Sequence, residues 1–178
     1  LNALDLKALS TSAASLTPPI DEAIPLTLKM RNYSTTPIKG IDYTIRFTDT
    51  NNITIATAEG VDIEPGVIAS IAIPVTITAK TTIKGEIVYT ADQNQADNIT
   101  APITLSPLPQ IKMGNGTQLI DNNVYNFFDE GGINFNYSDD HTLTLTIQPN
   151  AANKAVRVKF GMFKLETSYD DLKIYDGT

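Results

Sequence analysis

The sequence predicts an all-β fold, and three observations carry that expectation. β-Branched residues are abundant: 23 Thr, 21 Ile and 7 Val make up 51 of the 178 residues, and branching at Cβ favours pleated, half-buried surfaces over helices. Apolar and polar residues alternate with a period of two in Ile24-Pro-Leu26-Thr-Leu28-Lys-Met30, in Ile41-Asp-Tyr43-Thr-Ile45-Arg-Phe47 and in Ile71-Ala-Ile73-Pro-Val75-Thr-Ile77. Turn signals separate such runs, at Ser34–Pro37, Asp49–Asn52, Glu64-Pro65-Gly66 and Asp92-Gln93-Asn94.

Taken in order, these patterns predict seven short strands in residues 1–107, near 3–9, 23–31, 41–49, 52–57, 67–78, 83–90 and 99–105. Pro74 has no N–H to donate to a ladder, which predicts an edge strand or a bulge at that position. Strands with turns at about ten-residue spacing imply a two-sheet sandwich of immunoglobulin type. The run from Ile24 to Ile45 resembles the strand B to strand C passage of cell-adhesion-related, cysteine-free immunoglobulin-like modules of secreted bacterial proteins.

At Leu105-Ser-Pro107-Leu-Pro109, two prolines within three residues stiffen the chain and predict a boundary, with a linker over 108–112. The remainder, 113–178, predicts a second β-sandwich. Val156, Val158 and Phe160 share one strand face, and the apolar phase then slips across Gly161 to Phe163 and Leu165, which predicts a bulge. Leu172 and Ile174 predict a further strand and Asp176-Gly177 a turn.

The segment Phe160-Gly-Met-Phe163-Lys-Leu165-Glu166, followed by Tyr169-Asp170-Asp-Leu172-Lys-Ile174-Tyr175-Asp176-Gly177, resembles the core motif of the CUB domain, an extracellular jelly-roll β-sandwich. Phe128-Asp-Glu-Gly131-Gly132, Asn136-Tyr137-Ser138 and Leu143–Ile147 resemble the same family's opening segments, so the likeness spans roughly 113–178. Animal CUB domains usually carry cysteines around these motifs, where this chain has His141 and Thr167-Ser168. The resemblance is therefore to the cysteine-free, CUB-like modules of bacterial secreted and surface proteins. CUB domains continue for several strands past the Asp-Gly turn, so the resemblance implies an incomplete sandwich here, with open strand edges able to associate with another chain.

Many CUB domains bind calcium through the glutamate after Phe-x-Leu and the aspartate after the tyrosine, positions that fall on Glu166 and Asp170. Calcium takes roughly 6–8 oxygen ligands, and two carboxylates at strand ends are suitable hard donors. The family's third carboxylate, from a later loop, has no counterpart, so the resemblance implies a weak or incomplete calcium site. The alternative is that Glu166 and Asp170 are surface acids bonded within a turn. Asp171 is either a substitute ligand or solvated.

Composition excludes other chemistry. With no cysteine there is no disulfide, thiol nucleophile or Cys-ligated zinc. The single histidine, His141, forbids two-imidazole metal sites and leaves a Ser/His/Asp triad one ring to pass through. His141 beside Asp140 is either a general base or an exposed strand-start residue, and Asp139-Asp140 reads as a solvated turn because adjacent strand residues face opposite ways. A net charge of -7 and a pI near 4.6 argue against nucleic acid. No apolar run is long enough to span a membrane as a helix. Asn-x-Ser/Thr triplets occur at 32, 52, 98, 115 and 136. Tyr125, Phe127, Phe128, Phe135 and Tyr137 form either a packed core or a carbohydrate-stacking face, and a sandwich without Trp calls for its Phe and Tyr inside.

Together these readings predict a non-catalytic module pair, secreted or on the cell surface, that recognises a protein or carbohydrate partner, with calcium as the single candidate cofactor. The alternative is an accessory region of a larger secreted hydrolase, such as a peptidase, whose catalytic domain lies elsewhere. No nucleophile, base and orienting acid can be assembled from these residues.

Overall fold

The computed structural model describes residues 4–176, and every regular element longer than one helical turn is a strand. Seven strands build the first part: β1 (Leu6–Ala13), β2 (Ala23–Asn32), β3 (Thr44–Thr48), β4 (Thr54–Glu59), β5 (Ile68–Thr76), β6 (Thr81–Val88) and β7 (Ile103–Leu105). They form a three-stranded antiparallel sheet in the order β1-β2-β5 and a four-stranded one in the order β4-β3-β6-β7.

The period-two pattern decides which side chains meet between the sheets. Ile24, Leu26, Leu28 and Met30 of β2 are fully buried, and Ile45 and Phe47 of β3, Ile83 and Ile87 of β6 and Leu105 of β7 belong to the same cluster. Each such aliphatic side chain contributes about 1.5–3 kcal/mol on burial. β1 delivers Leu6 and Ala8 to this core, and its register then shifts between Ala8 and Ser10. The shift turns Thr11 inward, where its hydroxyl meets that of Thr100 at 2.7 Å, and Thr100 Oγ1 in turn accepts the Gly85 N–H at 3.0 Å.

Turn chemistry closes the strands as the sequence implies. Val67 N–H bonds to the Glu64 carbonyl at 3.1 Å across Pro65-Gly66, and Gly66 takes φ +78°, a conformation that favours glycine. The Asp49 carboxylate accepts the N–H groups of Asn51 and Ile53, both at 2.8 Å, while Asn52 occupies the left-handed region at φ 61°. Pro74 lies on β5, an edge strand that pairs only with β2 and there faces Pro25.

The expected strand start at Ile41 is not observed. Gly40–Asp42 instead forms a turn of 3-10 helix and Ile41 is 83% exposed, because the ladder with β4 and β6 begins at Thr44.

Beyond Leu105 the elements are short: β8 (Gln110–Lys112), β9 (Gly116–Ile120), β10 (Asn126–Phe128) and β11 (Leu145–Pro149). They form two two-stranded parallel ladders, β8 with β10 and β9 with β11. The segment read as a linker contains β8, and Leu108 makes a parallel bridge to Pro19 of the first part. Further ties follow: Glu22 accepts from Gln110 Nε2 at 3.0 Å and pairs with Lys112, Asn126 Nδ2 donates to the Thr17 carbonyl at 2.7 Å, and Asn134 Nδ2 donates to that of Ala23 at 3.1 Å. Ile133 packs against the sandwich core.

The strands expected over 156–165 and 172–174 form no ladder among the described residues. Their alternation survives, but a strand also needs a paired neighbour, and none is present here. The expected Asp176-Gly177 turn extends beyond the described residues.

Candidate functional site

Glu166 and Asp170 lie at the two ends of one tight turn. The N–H groups of Tyr169 and Asp170 both reach the Glu166 carbonyl at 3.4 Å, and Ser168 takes the left-handed conformation at φ 72° to close the turn. For a serine that backbone is strained, by an amount of order 1 kcal/mol.

Tyr137 fastens this turn from across the second part. Its hydroxyl donates to Asp170 Oδ2 at 2.7 Å and accepts the Glu166 N–H at 2.9 Å. The bond to Asp170 is the main reason the Tyr137 phenol is pushed above its usual range, since losing the proton would place two anions side by side. The sequence groups Tyr137 with the other aromatics and with the family-like segment Asn136-Tyr137-Ser138, and nothing in it links that hydroxyl to Glu166 or Asp170.

The arrangement offers hard oxygen donors, but few of them. Asp170 has committed one carboxylate oxygen to Tyr137, and Asp171 is exposed with its carboxylate 3.9 Å from Lys173 Nζ. Among the described residues no group of three His, Asp or Glu side chains is placed to hold a metal. Calcium's remaining ligands, out of roughly 6–8, would come from main-chain carbonyls and water.

A second polar cluster surrounds Glu130. Its Oε1 accepts the Ser138 N–H at 2.8 Å and lies 3.3 Å from His141 Nδ1, and these contacts, led by the Ser138 N–H, hold the Glu130 carboxyl below its usual range. Asp129 Oδ1 accepts the Gly131 N–H at 2.9 Å, so Asp129–Gly132 folds as a self-bonded turn. His141 is exposed, and Asp139 and Asp140 are exposed in a turn where Asp140 has φ 56°.

The expectation that the aromatic cluster forms a packed core is corrected here. None of Tyr125, Phe127, Phe128, Phe135 and Tyr137 is buried, and Phe135 is 78% exposed. The core is filled by aliphatic side chains of the first part with Phe47, Tyr43 and Tyr89, and a two-stranded ladder has no opposing sheet against which to bury its own aromatics. The Asn-x-Ser/Thr triplets also divide. Asn32 and Asn98 are buried, so neither accepts a glycan in the folded chain, whereas Asn52, Asn115 and Asn136 are exposed.

No family model matches the chain, and no curated protein matches it. Among solved structures it is similar to the 272–376 domain of a protein from Methanosarcina acetivorans named as a "putative cell surface protein", with 12% identity, 60% of this chain and 94% of that chain covered, and a TM-score of 0.49. It is also similar to the CARDB domain of a Pyrococcus furiosus protein, with 12% identity, 60% and 97% coverage and a TM-score of 0.47. The same domain solved in complex with di-metal ions covers 61% of this chain and 91% of its own, at 11% identity and a TM-score of 0.46. Likenesses of this size bear on neither ligand nor activity.

Proposed function

We propose that the chain is a non-catalytic binding module of a secreted or surface-displayed protein, an immunoglobulin-like sandwich that carries a CUB-like segment and recognises a protein or glycan. The observation that carries this reading is the Tyr137 bridge, which draws Glu166 and Asp170 of one CUB-like motif onto Tyr137 of another. The order of the first seven strands in two sheets, 1-2-5 and 4-3-6-7, supports the immunoglobulin-like assignment. The resemblance to an extracellular family supports the location. The only imidazole makes an exposed contact with a glutamate already bonded to a main-chain N–H, which supports a binding role over a catalytic one.

Calcium belongs to this proposal as an organiser of the 166–170 turn. Glu166 would supply a carboxylate, Asp170 its oxygen not taken by Tyr137, and the ion would neutralise charge brought together by the turn. Melting temperature and isothermal titration with millimolar calcium test it: a weak, saturable response lost in Asp170→Asn is expected, and no response at any calcium concentration overturns the metal assignment. A glycan array and an extracellular-protein array, probed with and without calcium, test recognition. Turnover of a peptide or glycoside substrate by the purified chain would overturn the non-catalytic reading.

A further inference from the structure

β5 is the edge of its sheet, and its register with β2 fixes which of its main-chain groups face outward. The Asn32 N–H donates to the Val67 carbonyl at 3.1 Å, one step past the Arg31–Ile68 pair, so Val67 turns its carbonyl toward β2. Antiparallel pairing alternates. Ala69, Ile71 and Ile73 therefore bond toward β2 as well, and Ile68, Ser70 and Ala72 aim N–H and C=O away from it. The facing of Pro25 and Pro74 agrees with this phase, since neither ring nitrogen has a proton to donate across the pair. Among the described residues nothing bonds to the N–H of Ile68, Ser70 or Ala72. Both connections of β5, 60–67 and 77–80, are described, and residues 65–79 carry no charge.

We infer that β5 pairs antiparallel with β5 of a second copy, about a two-fold axis at Ser70. That register sets Ile68 opposite Ala72 of the second copy, Ser70 opposite Ser70 and Ala72 opposite Ile68, giving about six main-chain hydrogen bonds, two per facing pair. Side-chain size fits it. Ile68 meets Ala72 on the solvent face, and Ala69 meets Ile71 on the core face, large against small in each case. Pro74 then stands opposite Gly66, where the second copy has already turned at φ +78°, so its missing donor is not needed. Moving the axis to Ile71 would instead set Pro74 against Ile68 and leave that carbonyl unmatched. The pairing also covers Ala69, Ile71 and Ile73, which are half-buried against the core.

Charge permits the contact. The nearest charged groups are Lys29 and Arg31 of β2, level with Ser70 and Ile68. Arg31 is engaged, 4.8 Å above the Tyr33 ring and bonded to the Gly66 carbonyl at 3.1 Å. The two Lys29 residues start three strand spacings apart, about 14 Å, beyond the screening length of about 8 Å at physiological salt. Glu64 falls level with the uncharged Thr76. A charged partner strand finds no opposite charge in 65–79, whereas a second copy matches this edge in hydrogen-bond phase, side-chain size and neutrality. The inference is independent of the ligand that the module recognises.

Sedimentation velocity of the full chain, from about 10 μM to about 1 mM, tests it. A concentration-dependent dimer is expected, and it should strengthen as salt rises, because screening relieves repulsion between two bodies of net charge -7. Ser70→Pro removes the central donors and should weaken the dimer at least about tenfold. Ile68→Lys should do the same through charge, and because its side chain stands on the solvent face it carries the comparison if Ser70→Pro lowers the melting temperature. Ser70→Cys should cross-link under mild oxidation, since facing Cα atoms lie about 5.5 Å apart, within disulfide reach. Ser12→Cys on β1 should not. A chain that stays monomeric at about 1 mM overturns the proposal. So does a dimer that Ser70→Pro and Ile68→Lys leave intact while Phe163→Glu abolishes it.

Discussion

Asn32 shows how much a single polar side chain can organise. It has no exposed surface, yet its Nδ2 donates to the carbonyls of Thr36 at 3.0 Å and Ile63 at 2.8 Å, and its Oδ1 accepts the Ser34 N–H at 2.7 Å. Asn32→Ala leaves those groups without that partner, and urea denaturation should report a loss of about 1–3 kcal/mol. Gly85 is fixed by space: a Cβ there would lie 2.5 Å from Thr11 Oγ1 and 2.7 Å from Leu28 Cδ1. Gly85→Ala should therefore destabilise by about 1–3 kcal/mol in the same measurement. Asp97 acts in the opposite sense. Burial, reinforced by Asp5 and Asp92, raises its carboxyl above the usual range, with Lys7 opposing from 3.8 Å. A raised acid favours the folded state most when protonated, so Asp97→Asn should raise the melting temperature at neutral pH, and the gain should vanish below the ordinary carboxylate range. None of these three roles was readable from sequence. Asn32 stands out in the sequence only as the start of an Asn-x-Ser triplet, because composition cannot tell a buried amide from a solvated one.

At the scale of elements, alternation was legible wherever a strand has a neighbour and an opposing sheet. β2 and β5 lie close to the expected 23–31 and 67–78, and the seven strands of the first part were all foreseen, because aliphatic residues every second position have one place to go. Position in the sheet then sets the energetic weight. Leu28→Ala in central β2 should cost about 2–5 kcal/mol by denaturant titration, and Ile55→Ala in edge strand β4, only partly buried, less than half of whatever Leu28→Ala costs. In 154–174 the same alternation led to strands that are not formed, since a pattern states what a segment can pair with and not whether the pairing partner is there. The Glu166 and Asp170 turn was legible as a motif; the Tyr137 link was not, because it joins residues 33 and 29 positions apart through a hydroxyl.

Across the whole molecule, the second part is held to the first by polar contacts more than by a shared core. Glu22 pairs with Lys112, the contact that does most to keep its carboxyl below the usual range, and Gln110 adds a further bond. A depressed acid stabilises above its unfolded pKa and loses that contribution as pH falls through the folded one. Glu22→Gln should therefore cost about 0.2–1 kcal/mol at neutral pH and nothing in strong acid, with faster amide exchange across β8 and β10 as the readout. The pairing of Pro25 with Pro74 has a different reach. β5 is an open edge of a sheet rich in isoleucine, the kind of surface on which like chains stack into cross-β fibres, and Pro74 removes a donor from the middle of that edge. A solution of Pro74→Val, aged at high concentration with thioflavin, should form fibrils where the parent chain stays clear, so one ring in a peripheral strand guards the colloidal lifetime of the protein.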